Sequence, residues 1–252
     1  MIKVNHIWKS FNRHTILKDI SVEFEKGQTN LIIGQSGSGK TVLLKSIVGL
    51  LDIDKGEVKY DAVVYSKLSF KKKKEIRKKI GMLFQGSALF DSSTVEENVI
   101  YPLDMFTNMS YEEKRERANF CLNRVDILNA NHLFPSEISG GMQKRVAIAR
   151  AIALNPEYLF CDEPDSGLDP ITTLRINNLI KEITDEFNTI TIVNTHDMNS
   201  VMEFGEKIVF IYMGQKWWEG TNKNILHSEN EKLNEFVFAN HMAKRLKQIK
   251  RT

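Results

Sequence analysis

Three groups of residues carry side chains whose types and spacing suit chemistry on phosphate. The first is Gly34-Gln35-Ser36-Gly37-Ser38-Gly39-Lys40-Thr41, which fits the pattern G-x-x-x-x-G-K-[ST]. Such a loop turns backbone N–H groups toward an anion. Lys40 adds a point charge for outer phosphates, and the Thr41 hydroxyl can ligate Mg²⁺. Gly37 and Gly39 leave room for phosphate to approach the backbone. The second group is Tyr158-Leu159-Phe160-Cys161-Asp162-Glu163, an apolar run that ends in two carboxylates. Adjacent side chains at a strand end point different ways, so one can reach Mg²⁺ while the other addresses a water. Asp162 is the better metal partner, through water, and Glu163 the better water activator. Taken alone the pair would read as an acidic turn after a strand; in the same chain as a phosphate loop it does not. The third group is Ser139-Gly140-Gly141 at the head of a helix. Ser139 can cap that helix, and two successive glycines weaken it and invite close approach of another backbone or an anion. A second anion-binding surface has no place in an ordinary nucleotide pocket, and it suits service to a neighbouring molecule.

The elements that must position these groups can be read from periodicity. Thr29 to Ile33 reads as a short buried strand, and Val42 to Val48 has helical apolar spacing that stops at Gly49, so the glycine loop is a strand-to-helix turn. Ile2-Val4 and Ile20-Val22-Phe24 alternate, with a turn at Lys26-Gly27, and predict a small antiparallel sheet completed by Gly56 to Tyr65. The charge run Lys71 to Lys79 reads as a solvated helix face, and Ile80 to Phe84 as a compact strand ending at Gln85. Residues 86–155 turn helical and polar, punctuated by Pro102 and Pro135, with one helix from about Met142 to Ala153. Leu159 to Asp162 and Thr189 to Asn194 read as buried strands. Between them Ile171, Leu174, Leu179, Ile180, Ile183 and Phe187 share a helical face, with Asp169 as N-cap and Pro170 in the first turn. Strands alternating with helices predict an α/β fold with a mostly parallel sheet.

Composition bounds the rest. A chain of 252 residues can bury a proper core, and no apolar run approaches the length of a membrane span. The start, Met1 to Asn5, lacks the apolar core of a secretory signal. Two cysteines, Cys121 and Cys161, argue against a disulfide scaffold, and Cys161 reads as a buried thiol inside its strand. A net charge of +3 is too mild to imply a nucleic-acid partner.

The order of motifs resembles the ATP-binding cassette (ABC) ATPases over nearly the whole chain. Gly34 to Thr41 resembles the Walker A loop, with Val42 following it, and Gln85 in Phe84-Gln85-Gly86 resembles the Q-loop glutamine. Ile138 to Gln143 is similar to the LSGGQ signature, with Ile leading and Met142 where Gln is commonest. Phe160 to Glu163 resembles Walker B with its glutamate, Ser166-Gly167-Leu168-Asp169 the D-loop, and His196 the switch histidine. Phe11 falls where the family has an aromatic that stacks on adenine. The resemblance implies a P-loop NTPase fold: an ABC-type RecA-like core with an antiparallel β subdomain and a helical subdomain. It implies a single ATPase domain over 1–225, with the core at about 1–85 and 156–225 and the helical part at about 86–155, followed by a helical basic tail at 226–252. It implies ATP and Mg²⁺ as cofactors, with Thr41, Gln85 and Asp162 at the metal. Glu163, His196 and Gln85 would act in hydrolysis. Two copies would sandwich two ATP molecules, with Ser139, Gly141 and the helix behind them contacting the partner's γ-phosphate; Gly140 and Asp169 would also belong to the nucleotide-binding set.

The stretches Phe84 to Val99 and Asp162 to Thr172 resemble the Mla/Mkl-type lipid-transport cassettes. That likeness implies a chain on the cytoplasmic face of the inner membrane that powers separate permease subunits and moves phospholipid between bacterial envelope membranes. A lipid-binding substrate protein and a small accessory subunit would be further partners. Amino-acid importer cassettes share much of the signal, and a cassette acting on a cell-division complex is a further alternative. By the same resemblance the permease would dock on Ala88, Leu89, Phe90 and Val95, with Tyr101 and Leu103 behind them. From Ser228 to Arg251 the chain reads as a helix, with capping-box spacing at Ser228 and Glu231 and a basic end.

Overall fold

The computed structural model describes residues 1–238. In chain order the strands are β1 (Ile2–Phe11), β2 (His14–Phe24), β3 (Gln28–Ile33), β4 (Lys55–Tyr60), β5 (Val63–Val64), β6 (Ile80–Leu83), β7 (Tyr158–Asp162), β8 (Ile190–Thr195), β9 (Lys207–Tyr212) and β10 (Gln215–Gly220). The helices are α1 (Lys40–Val48), α2 (Phe70–Arg77), α3 (Val95–Phe106), α4 (Tyr111–Arg124), α5 (Gly140–Ile152), α6 (Pro170–Phe187), α7 (Met198–Phe204) and α8 (Glu231–Val237). Packing divides the chain into two compact units. One comprises Met1–Lys67 with the described chain from Ile192 on, and the other is Leu68–Thr191.

The first unit holds the antiparallel sheet β2-β1-β4-β5. Its register pairs Ile2 with Phe24, Val4 with Val22 and Ile7 with Ile20, all buried, so the alternation seen in the sequence is the buried face of this sheet. Asn12 and Arg13 both have positive φ, as a two-residue I′ hairpin turn requires, and they close β1 onto β2 beside Phe11. The same unit carries β3 parallel to β9 and β9 antiparallel to β10. Thr29 through Ile33 are fully buried, which is why that run shows no alternation. Helix α1 follows at once and ends on Gly49, as the spacing predicts.

The second unit pairs β6 with β7 in parallel, Ile80 opposite Tyr158 and Leu83 opposite Cys161. Helices α3, α4 and α5 pack on one another, and α5 packs on β6. Thr94 and Ser110 start α3 and α4 with complete capping boxes to Glu97 and Glu113. The chain then returns to the first unit within β8.

Three sequence readings need correction here. Pro102 does not punctuate; α3 runs through it. Ile171 and Leu174 do not join the buried face of α6, being 65% and 38% exposed, whereas Ile176, Leu179, Ile180 and Ile183 do. Ser228 does not cap the last described helix. Asn230 does, accepting from Leu233 N at 2.9 Å, while Ser228 Oγ accepts from Asn230 N. The expected tail beyond Phe238, including its basic end, lies outside the described residues.

Candidate functional site

In the first unit the glycine loop joins β3 to α1. Gly39 is the N-cap of α1, no side chain caps that end, and its first turn contains no acidic residue, so the helix start presents amide groups and no negative charge. Lys40 is 4% exposed, and its Nζ donates to the carbonyls of Gly34 at 2.9 Å and Gln35 at 3.1 Å. A buried ammonium is costly away from water, and here the loop itself folds round it. Ser38 Oγ is buried and makes no hydrogen bond among the described residues. A Cβ placed on Gly37 would meet nothing within 4 Å, whereas one on Gly39 would press on Leu17 at 3.1 Å. So Gly37 leaves the open side of the cradle, and Gly39 is required by packing against β2. An uncapped helix start, a buried cation, an orphan hydroxyl and an open concavity together fit a polyphosphate. Phe11 stands 42% exposed at its hairpin end, with Lys9 Nζ 5.2 Å from the ring centroid. His196 directly follows β8 and is exposed, so it is not part of the core.

One contributor in this unit was not foreseen. The β9–β10 turn, Met213-Gly214, reaches the phosphate loop: Gly214 N donates to Ser38 O at 3.0 Å, and Gly214 O accepts from Lys18 N at 2.8 Å. Its φ is +78°, and an added Cβ would lie 1.9 Å from Ile16 O. A Met-Gly dipeptide between two short strands was the available signal.

In the second unit the structure brings together two predicted residues 78 positions apart: Gln85 Nε2 donates to Glu163 Oε2 at 2.9 Å. Asp162 is the buried last residue of β7. Glu163 leaves the strand with φ +49° and accepts the Gln85 bond, while Asp162 stays buried at the strand end. Ser139 caps α5, its Oγ accepting from Met142 N at 3.3 Å. The glycines after it differ. A Cβ on Gly140 would meet open space, while one on Gly141 would lie 2.9 Å from Thr172 Cγ2, so a neighbouring side chain already occupies that approach. Asp169 is engaged in its own turn. Its carboxylate accepts from Ile171 N and Thr172 N at 3.0 and 3.1 Å and from Thr172 Oγ1 at 2.5 Å, bonds that hold its pKa below the ordinary aspartate value. Within the expected docking patch, Val95 and Leu103 are core, while Phe90 and Tyr101 are 41% and 43% exposed with ring centroids 4.6 Å apart. Both cysteines are buried, and burial pushes the Cys121 thiol up to about 11.

Asn98, within the stretch Phe84 to Val99, carries no expectation from the sequence. It is fully buried and staples the loop after Gln85. Its Nδ2 donates to the carbonyls of Phe90, Ser93 and Thr94, and its Oδ1 accepts from Phe90 N.

A family model described as ABC transporter matches residues 17–166. The chain belongs to the ABC transporter family. It is 37% identical to the methionine import ATP-binding protein MetN of Campylobacter jejuni, over 94% of this chain and 75% of that one. It is 35% identical to the intermembrane phospholipid transport system ATP-binding protein MlaF of Haemophilus influenzae, over 94% of this chain and 90% of that one. Among solved structures it is similar to a dimeric ATP-binding cassette in a post-hydrolysis state bound to ADP and Pi. The TM-score is 0.81, with 35% identity over 88% of this chain and 99% of that one. This ABC ATPase subunit therefore has the α/β P-loop fold expected of it, with ATP and Mg²⁺ as its cofactors and ATP hydrolysis as its reaction. Among the described residues no helix is long and apolar enough to cross a membrane.

Proposed function

We infer that this cassette drives a separate integral-membrane permease and moves phospholipid between bacterial envelope membranes, working as a peripheral subunit on the cytoplasmic face of the inner membrane. The observation that carries the catalytic assignment is the Gln85–Glu163 hydrogen bond, which joins a carboxylate able to polarise water to an amide that reports on it. In this reading residues 34–42 hold the phosphates, Phe11 stacks on adenine, and His196 orients the attacked phosphoryl group. By the family resemblance Thr41, Gln85 and Asp162 would each supply an oxygen donor of the kind Mg²⁺ takes, alongside phosphate and water. That ion, when bound, neutralises charge on the outer phosphate. Ser139, Gly140, Gly141 and Asp169 face the nucleotide of a second copy in an ATP-sandwich dimer. The ATPase domain spans 1–225.

A Ser139→Arg variant tests the sandwich: one chain should still bind ATP, while dimer closure and turnover are blocked. Normal turnover by that variant would remove the dimer from the reading. Phe90 and Tyr101 are the exposed aromatic pair offered to the permease. A pull-down in which Phe90→Asp retains the permease fully would take them out of the interface.

The lipid cargo is supported by identity to a phospholipid-transport relative over 94% of this chain. Amino-acid import is the second reading, favoured by the 37% identity to a methionine-import relative. Reconstituting the chain with its permease partner, in vesicles carrying labelled phospholipid, separates the two. ATP-dependent lipid transfer is expected; methionine uptake without lipid transfer would overturn the cargo. The same preparation shows whether a lipid-binding protein or a small accessory subunit travels with the complex.

A further inference from the structure

Helix α5, which starts at the Ser139 cap, ends two of its side chains on the loop that carries Gln85. Lys144 Nζ donates to Gln85 O, 59 residues away. Arg150 donates from Nη1 to Ala88 O and from Nη2 to Ser87 O, each at 2.8 Å. Both cations are withdrawn from water, and that burial lowers the pKa of each. Lys144 also feels the negative charge of Asp165, Glu163 and Asp162, which opposes its desolvation. Lys144 is buried and Arg150 half-buried, so withdrawing them onto neutral carbonyls costs free energy that their hydrogen bonds and, for Lys144, the nearby carboxylates must offset.

The loop they grip is tight. Ser87 N donates to Phe84 O and Ala88 N to Gly86 O, and Ser87 and Ala88 have φ of +61° and +49°. Backbone that strained persists only where its surroundings hold it. Gln85 is the residue on this loop that reaches Glu163.

We propose that Lys144 and Arg150 are positioning residues for ATP hydrolysis: by tying the carbonyls of Gln85, Ser87 and Ala88 to the Ser139-headed helix, they hold the Gln85 amide on Glu163 and aim that carboxylate. Neither touches the nucleotide in this scheme. A change at the Ser139 end of α5 is then passed to Glu163 through the same helix. The proposal rests on Glu163 being the water activator.

The test is steady-state ATP hydrolysis by the full chain. Lys144→Met and Arg150→Ala should each lower kcat about tenfold or more, since a small misplacement of a catalytic group costs that much. KM for ATP should stay within twofold, because the phosphate loop is untouched. In a Gln85→Ala background Lys144→Met should cost less than twofold, because Lys144 acts through Gln85. Full additivity of the two changes, an unchanged kcat, or a raised KM with kcat intact would each overturn the proposal. Should the harsher variants not fold, Lys144→Gln and Arg150→Lys are read by the same split. A lowered kcat at constant KM supports positioning, and wild-type kcat in both overturns it. Glu163→Gln is run alongside. Normal turnover there removes the catalytic reading itself. An inactive Glu163→Gln beside fully active Lys144 and Arg150 variants removes the positioning alone.

Discussion

The loop at 34–42 in the first unit and the loop at 84–94 in the second are both held rigidly, by opposite means. The first is held chiefly by backbone geometry: a strand before, a helix after, glycines at the bends, and a lysine folded back on its own carbonyls at Gly34 and Gln35. The second has no glycine at Ser87 or Ala88, although both have positive φ, and is stapled from outside by Lys144, Arg150 and Asn98. A backbone-built loop keeps its amide groups free for a ligand. A side-chain-stapled loop gives that up and gains a mechanical link to the helices that hold it.

The largest expected effects separate the chemistry of the two regions. Glu163→Gln should slow turnover by on the order of 10²–10⁴-fold while nucleotide binding persists, because only the water-activating base is lost. Lys40→Ala should act the other way, weakening ATP affinity by roughly 10²-fold through loss of charge-assisted hydrogen bonds to phosphate. Titrating both variants with ATP and measuring turnover in the same preparations checks the pair. A Lys40→Ala protein with unchanged affinity would leave the buried ammonium as a loop-folding device only.

Asn98→Ala and Gly214→Ala probe the two kinds of support. Removing Asn98 takes the partner from the part-buried N–H and C=O of Phe90 and the carbonyl of Ser93, and costs roughly 1–3 kcal/mol of stability. ATP affinity should not move. Gly214→Ala must adopt a left-handed conformation, at about 1–2 kcal/mol, and must in addition displace the backbone oxygen of Ile16. Because Gly214 N holds Ser38 O, ATP affinity should fall several-fold as well. Urea unfolding with parallel affinity measurements reads both. If the two variants changed affinity equally, the division between a backbone-built ligand loop and a stapled coupling loop would fail.

That division also explains what could be read in the sequence. The phosphate loop, the Ser139 cap and the Asp162–Glu163 strand end are each written in consecutive residues, because local backbone conformation and caps depend on near neighbours. Their strands followed from short continuous apolar runs, and their helices from spacing and caps. The staples are written nowhere locally: Lys144 and Gln85 are 59 residues apart, and a lysine on a helix reads as solvated until the fold buries it. Gly214 was missed for the same reason, since its partners at Lys18 and Ser38 lie in distant segments. The exposed Ile171 and Leu174 mark the converse error, in which helical spacing alone suggested a buried face that α6 does not have at its first turn.

The smallest effect expected belongs to Asp169, whose cap is as local as any element in the chain. Its carboxylate accepts from Ile171 N, Thr172 N and Thr172 Oγ1, all within its own turn. The Thr172 hydroxyl is the first cause of its lowered pKa, ahead of the backbone bonds. A carboxylate whose folded pKa is depressed stabilises the fold above its unfolded value, here the ordinary 3.8. That contribution is lost as pH falls through the lower folded value. Asp169→Asn keeps a cap oxygen but cannot titrate, so the acid limb of its stability curve should be shallower than that of the wild-type chain below about pH 3.8. At neutral pH the two should differ only slightly, because the side chain is exposed and its charge is screened. Urea midpoints from pH 3 to pH 7 measure this, and identical acid limbs would show that the cap stabilises the folded chain no more when ionised than when protonated.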